Sequence, residues 1–231
     1  GQKLLGWRDV PTDNACVGTS AKSTEPRINQ VFIGRGEETE PEQYERILLL
    51  LRKRAEKAVS KSGIEGCHDF YVASLSSQTI VYKGMLSAEQ LEPYFPDLAD
   101  PRVISALALV HQRFSTNTFP SWPLAHPFRY IAHNGEINTI KGNINWMKIH
   151  EQDMNSRLFD DVESLKPVIC EGNSDSASLD NVFELLVRSG KSVPLAKLML
   201  IPDAWSKRRK TVSKSHQQLF NFLNSTIEPW D

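Results

Sequence analysis

Two stretches with apolar residues at three- and four-residue steps, set among short strand-like runs, restrict this chain to a mixed fold. In the first, Tyr44, Ile47, Leu48, Leu51, Ala55 and Ala58 form one apolar helical face, with Arg46, Arg52, Lys53, Glu56 and Lys57 on the other side. A glycine-containing break at 60–66 ends it. In the second, Leu179, Val182, Phe183 and Leu186 give the face and Gly190 closes it. Ser192 with Pro194 opens a further helix, with Leu195 and Met199 inward, stopping before Pro202. Ile137 to His150 reads as helical, broken or delayed by Gly142.

Strand-like runs cover Asp69 to Leu75 and Thr79 to Tyr82, joined around Ser76-Ser77-Gln78 as a hairpin. Ser87-Ala88-Glu89-Gln90 has the form of a capping box opening a short helix. Val103 to Val110 is apolar enough for a buried strand or a core helix; strand is preferred, because Arg113 then emerges at its end. Phe128 to Ala132 is another short strand, running into His133-Asn134-Gly135. Residues 1–42 are polar and rich in Gly and Pro, with one apolar patch at Val31-Phe32-Ile33. Helices and paired strands in one chain give an α+β or layered α/β fold.

With 231 residues, 40% of them hydrophobic and 24% charged, the chain can bury a sizeable core in one large domain or two small ones. The net charge of −1 offers no general pull toward nucleic acid or anionic membrane. No apolar run approaches the roughly 18 residues of a membrane span. Cys16, Cys67 and Cys170 are odd in number and widely spaced, which argues against a disulfide framework or zinc ribbon and fits a reducing, cytoplasmic-type compartment.

Three segments beside regular elements carry the chemistry. They are 111–118 (HQRFSTNT), 133–137 (HNGEI) and 172–176 (GNSDS). Arg113 follows an apolar run, so its guanidinium is placed to grip a carboxylate with two parallel hydrogen bonds, and Thr116 adds a hydroxyl; the plain alternative is a surface arginine in a local ion pair. Asn134-Gly135 reads either as a tight hairpin turn or as an oxyanion hole built from a side-chain NH₂ and a close-approaching backbone N–H. Asp175, flanked by Ser174, Ser176 and Ser178, is either a helix N-cap or the acceptor of an ammonium group. Together these supply a carboxylate site, an ammonium site and an oxyanion hole between them. That set matches an amino-acid amide, with L-glutamine the natural candidate.

The run Gln112-Arg113-Phe114-Ser115-Thr116-Asn117-Thr118, followed by Trp122-Pro123-Leu124-Ala125 and Pro127-Phe128-Arg129-Tyr130, resembles the class II glutamine amidotransferases. His133-Asn134-Gly135-Glu136-Ile137-Asn138-Thr139 fits the same superfamily, and with Gly142-Asn143 it is similar to the large subunit of glutamate synthase. Gly6-Trp7-Arg8-Asp9-Val10-Pro11, Phe70-Tyr71-Val72-Ala73-Ser74-Leu75-Ser76, Asn173-Ser174-Asp175-Ser176 and Glu228-Pro229-Trp230-Asp231 extend the likeness nearly end to end.

The resemblance implies a four-layer αββα fold of the N-terminal-nucleophile type, with residues 1–231 part of one glutamine amidotransferase domain. It implies that Arg113 binds the glutamine α-carboxylate with Thr116 assisting, that Asn134 and Gly135 form the oxyanion hole, and that Asp175 takes the α-ammonium. It also implies ammonia delivery to synthase domains of the same polypeptide, where 2-oxoglutarate becomes glutamate in ammonia assimilation. There the full-length enzyme holds FMN and an iron–sulfur cluster and draws electrons from ferredoxin or an NAD(P)H-linked subunit. No nucleic acid or membrane partner is implied. The compartment is cytoplasmic, or plastid in a photosynthetic eukaryote.

One departure qualifies the match. Residue 1 is glycine, and Gly6 to Pro11 corresponds to a point well inside the family's domain. The expectation is a piece truncated at both ends, lacking the nucleophilic cysteine and inactive alone; the alternative is a non-catalytic glutamine-binding module or remnant. A third reading, a hydrolase using Cys67 with His68, is disfavoured, because neighbours in an extended run face opposite ways. His111, His126 and His133 lack compact metal-ligand spacing. Lys207-Arg208-Arg209-Lys210 reads as a solvated loop.

Overall fold

The computed structural model describes residues 1–114, 118–202 and 213–231, with helices throughout and a two-stranded sheet among the described residues. They fall into two compact units, Gly1–Asn134 and Gly135–Asp231.

In the first unit, β1 (Lys3–Asp9) pairs antiparallel with β2 (Asn29–Gly34) in the register Trp7 opposite Val31 and Asp9 opposite Asn29. The ladder slips by one residue between Leu4 and Gly6. Val10 N–H to the Ile28 carbonyl, 2.9 Å, continues the pairing past the strand ends. Between the strands the chain makes the single turn α1 (Thr19–Lys22). The Val31–Ile33 patch thus belongs to β2, whereas β1, with exposed residues at nearly every position, has no periodic signal to betray it. Val10, Val17 and Ala21 pack with Tyr94, Phe95 and Trp122 as the core of this region. The Trp122 indole N–H, buried with the ring, finds its acceptor in the Ala21 carbonyl at 3.1 Å.

Helix α2 (Pro41–Ser60) covers the first predicted helix and begins at Pro41, where a missing N–H costs nothing. Its buried face is rotated from the expected one. Arg52 (2% exposed) and Lys53 are buried, while Leu51 is 42% exposed. Charge can go inside here because it is partnered: Glu45 accepts from Ser76 Oγ (2.8 Å), Ser77 N–H (2.7 Å) and Ser77 Oγ (2.7 Å), and Arg52 lies 3.5 Å from Glu56. Tyr44 donates its hydroxyl to the Ile33 carbonyl at 2.5 Å, tying α2 to β2. The capping box at Ser87–Gln90 forms as expected and opens a 3₁₀ turn leading into α3 (Leu91–Tyr94).

Expected strands are missing at four places. Residues 69–75, 79–82 and 103–110 run without a ladder, and 128–132 is a turn closed by Phe128 N–H on the Ile131 carbonyl at 2.9 Å. A strand exists only through its partner, and apolar composition reports readiness for burial, not the presence of a neighbour to pair with. Residues 103–110 instead lie open, with Ile104 87% exposed.

The second unit is helical among its described residues. It holds α4 (Ile140–Gln152), α5 (Asp175–Arg188), α6 (Val193–Leu200) and α7 (Lys214–Asn224). α4 starts at Ile140 and runs through Gly142 unbroken, and Gly190, at φ 88°, stops α5 where only glycine sits without strain. Ser192 caps α6 through Leu195 N–H at 3.4 Å, with Pro194 in the first turn. Ala196 and Leu200 are its fully buried positions; Leu195 and Met199 are half-buried. The segment 229–231 docks on α4 and α6. Thr139 N–H reaches the Asp231 carbonyl (3.0 Å), Asn143 Nδ2 the Pro229 carbonyl (3.0 Å), and Trp230 N–H the Leu200 carbonyl (2.8 Å).

Candidate functional site

The predicted site residues divide between the two units: Arg113 and Asn134 in the first, Gly135 and Asp175 in the second. Thr116 and the run 207–210 lie outside the described residues.

Arg113 is exposed and belongs to no helix or strand, so no ladder fixes it. Side chains hold its backbone instead. Its N–H donates to His111 Nδ1 at 3.1 Å, and its carbonyl lies 2.8 Å from His126 Nδ1. His126 is buried and stacks at 4.4 Å on His111 and edge-on at 4.7 Å on Phe128. Burial above all, then the neighbouring His111, pushes its imidazole down to about 4, so it is neutral at neutral pH. Lys83, also buried, donates to the Pro123 carbonyl at 2.6 Å and stands 4.7 Å above the Phe128 ring. Farther along, Arg129 Nη2 donates to the Val72 carbonyl at 2.7 Å.

Asn134 is exposed at the end of the first unit, and Gly135 is exposed at the start of the second. Two residues on, the buried Ile137 anchors the loop. Its N–H donates to Asp175 Oδ2 at 3.0 Å, across 38 positions of sequence. The other carboxylate oxygen, Oδ1, accepts from Ser176 N–H at 2.6 Å and Ser176 Oγ at 3.3 Å. Asp175 is therefore not the N-cap. Ser174 is, accepting from Ala177 N–H at 3.1 Å, and Asp175 is the first residue of α5, where a negative charge meets the positive end of the helix dipole. With 2% exposure the carboxylate is held in place while it ties down the chain at Ile137, two residues past Gly135. Asn181 Oδ1 organises the preceding loop, accepting from Cys170 N–H (3.2 Å) and Asn173 Nδ2 (2.9 Å).

Sequence reasoning missed His111 and His126 as supports of Arg113, and Asn181 as the organiser of 170–173. No periodic or spacing signal marks them, since each acts on a group in irregular chain. Cys67 is buried, with Sγ 3.7 Å from the Ser60 carbonyl, while His68 beside it is exposed. Among the described residues no group of three or more His, Cys, Asp or Glu is placed to hold a metal ion, and no helix is long and apolar enough to cross a membrane.

Comparison with known proteins gives this arrangement a context. Residues 1–231 match the family described as glutamine amidotransferases class-II. The chain is 49% identical over its whole length to the NADPH glutamate synthase large chain of Azospirillum brasilense and 46% identical to that of Bacillus subtilis, spanning 15% of each. It is 41% identical to a chloroplastic ferredoxin-dependent glutamate synthase of Arabidopsis thaliana, again over its whole length and 14% of that protein.

Proposed function

The chain belongs to the class-II glutamine amidotransferases, and from that premise we propose that it is the glutamine-hydrolysing segment of a glutamate synthase. The observation that carries the reading is the Ile137–Asp175 hydrogen bond, which ties the loop proposed as oxyanion hole to the carboxylate proposed for the α-ammonium. Arg113, with Thr116, takes the α-carboxylate of L-glutamine. Such a grip binds substrate and transition state alike. Attack of a cysteine thiolate on the side-chain amide turns the carbonyl oxygen into an oxyanion, which accepts from the Asn134 NH₂ and the Gly135 N–H. Collapse with protonation of the nitrogen expels ammonia and leaves a thioester, and water then releases glutamate and the thiol. Cys67 is buried and is not assigned the attacking thiolate.

In the complete protein the ammonia is used at synthase domains for reductive amination of 2-oxoglutarate. FMN and an iron–sulfur cluster would supply the electrons there, fed by ferredoxin or an NAD(P)H-linked subunit. Residues 1–231 are part of one domain with a four-layer αββα architecture. The compartment is cytoplasmic, or plastid in a photosynthetic organism.

Two measurements test the reading. The isolated 231-residue chain is expected to release no ammonia from glutamine. Placed instead of its counterpart in the Azospirillum brasilense large chain, it is expected to support glutamine-dependent glutamate formation. In that chimera Asn134→Ala should lower kcat by about a hundredfold or more. Arg113→Ala should raise KM with little change in kcat. Unchanged kinetics in both variants would remove these residues from the site.

A further inference from the structure

The reaction outlined above uses neither His111 nor His126, yet both meet Arg113, which is assigned to the substrate carboxylate. The Arg113 carbonyl can only accept, so the proton in its 2.8 Å contact with His126 belongs to Nδ1 of the imidazole. His126 is therefore the Nδ1–H tautomer, and its Nε2, buried and without a hydrogen-bond partner among the described residues, is a bare lone pair. The Arg113 N–H can only donate, so His111 Nδ1, at 3.1 Å, is a lone pair and His111 is the opposite tautomer. One imidazole holds the peptide group before Arg113, the other the peptide group after it. Their rings stack at 4.4 Å with a 36° tilt, and the edge contact of Phe128 backs His126 at 4.7 Å.

A buried ring with an unsatisfied nitrogen is a costly choice for filling space, and phenylalanine would fill it better. What histidine adds is a fixed N–H aimed at a carbonyl of a chain segment that has no ladder. Its neutral state suits this task, because the hydrogen bond to the carbonyl then selects one tautomer.

We propose that His126 and His111 are positioning residues that clamp the backbone of Arg113 by its carbonyl and its N–H, setting where the guanidinium emerges toward the carboxylate of the substrate. The role rests on the assignment of Arg113 to the glutamine carboxylate; the clamp itself does not. Two experiments keep them apart. In the 231-residue chain, long-range ¹H–¹⁵N correlation of the imidazoles is expected to show His126 as the Nδ1–H form and His111 as the Nε2–H form. An Nε2–H form or an averaged signal at His126 overturns the clamp. In the chimera with the Azospirillum brasilense large chain, His126→Phe is expected to raise KM for glutamine about three- to tenfold with kcat within about twofold, the scale of one lost neutral hydrogen bond. His126→Asn, which carries an amide N–H near the place of Nδ1, should restore most of that loss. In an Arg113→Ala background, His126→Phe should add nothing, because the group it positions is gone. Equal losses in the Phe and Asn variants, or full additivity with Arg113→Ala, overturn the positioning role. An unchanged KM in Arg113→Ala itself overturns the carboxylate assignment and with it that role, while the tautomer result still decides the clamp.

Discussion

At Gly84 the indole of Trp122 occupies the place where a side chain would begin. A Cβ there would lie 2.7 Å from ring carbon Cε3, and the ring is itself 2% exposed and has nowhere to go. Gly84→Ala is therefore expected to destabilise the first unit by about 1–3 kcal/mol, measured as a lower urea midpoint. At His126 the effect is one of pH. The unfolded imidazole titrates near 6.5 and the folded one near 4, so between those values the unfolded chain binds more protons and stability falls as pH is lowered. Denaturation midpoints at pH 7 and pH 4.5 should differ less in His126→Phe than in the wild type; an equal difference would mean that the folded ring titrates normally. Arg113, Asn134, Gly135 and Asp175 are readable as candidates from the chain alone. Their supports are not, because Ile137 N–H and the His126 imidazole come into range only after folding.

Among the elements, α5 and α2 show the two sides of sequence legibility. The first turn of α5 follows local rules. Ser174→Ala removes the side-chain acceptor for Ala177 N–H and is expected to cost about 1 kcal/mol, visible in thermal unfolding followed by circular dichroism at 222 nm. Helix α2 was found at nearly its full length, yet its face was misjudged. A pattern of apolar residues assigns charges to solvent, and Arg52, 2% exposed, breaks that rule. On the same buried side Glu45 accepts three hydrogen bonds from Ser76 and Ser77. Glu45→Ala should leave those donors unsatisfied and cost about 1–3 kcal/mol, with faster hydrogen exchange at the Ser77 amide as the local sign. Slow exchange at Ser77 in that variant would mean that another group holds the turn.

Taken whole, the molecule leaves several large apolar side chains open among its described residues. Leu4, Leu5 and Trp7 on β1 are 59%, 63% and 69% exposed, and Ile104, Leu107 and Val110 are 87%, 82% and 72% exposed. A net charge of −1 adds little repulsion between copies. The 231-residue chain is accordingly expected to bind a hydrophobic dye and to associate as its concentration rises, and paired changes Ile104→Lys and Leu107→Lys should reduce both. Sedimentation velocity at two concentrations reads this directly; a dye-silent monomer would show those side chains to be covered in solution.

Local rules carried what the sequence determined by itself. The spans of α2, α5 and α6, the capping box at Ser87–Gln90, the stop at Gly190 and the family motifs all depend on residues within a few positions of one another. The tertiary structure decided the rest. It paired β1 with β2, left 103–110 without a ladder, turned Arg52 inward, brought His126 to the Arg113 carbonyl across 13 positions and joined Asp175 to Ile137 across 38. The physical reason is common to all of these. A strand, a buried charge and a clamped backbone each exist only through a partner, and the partner's place along the chain leaves no periodic mark near the residue it holds.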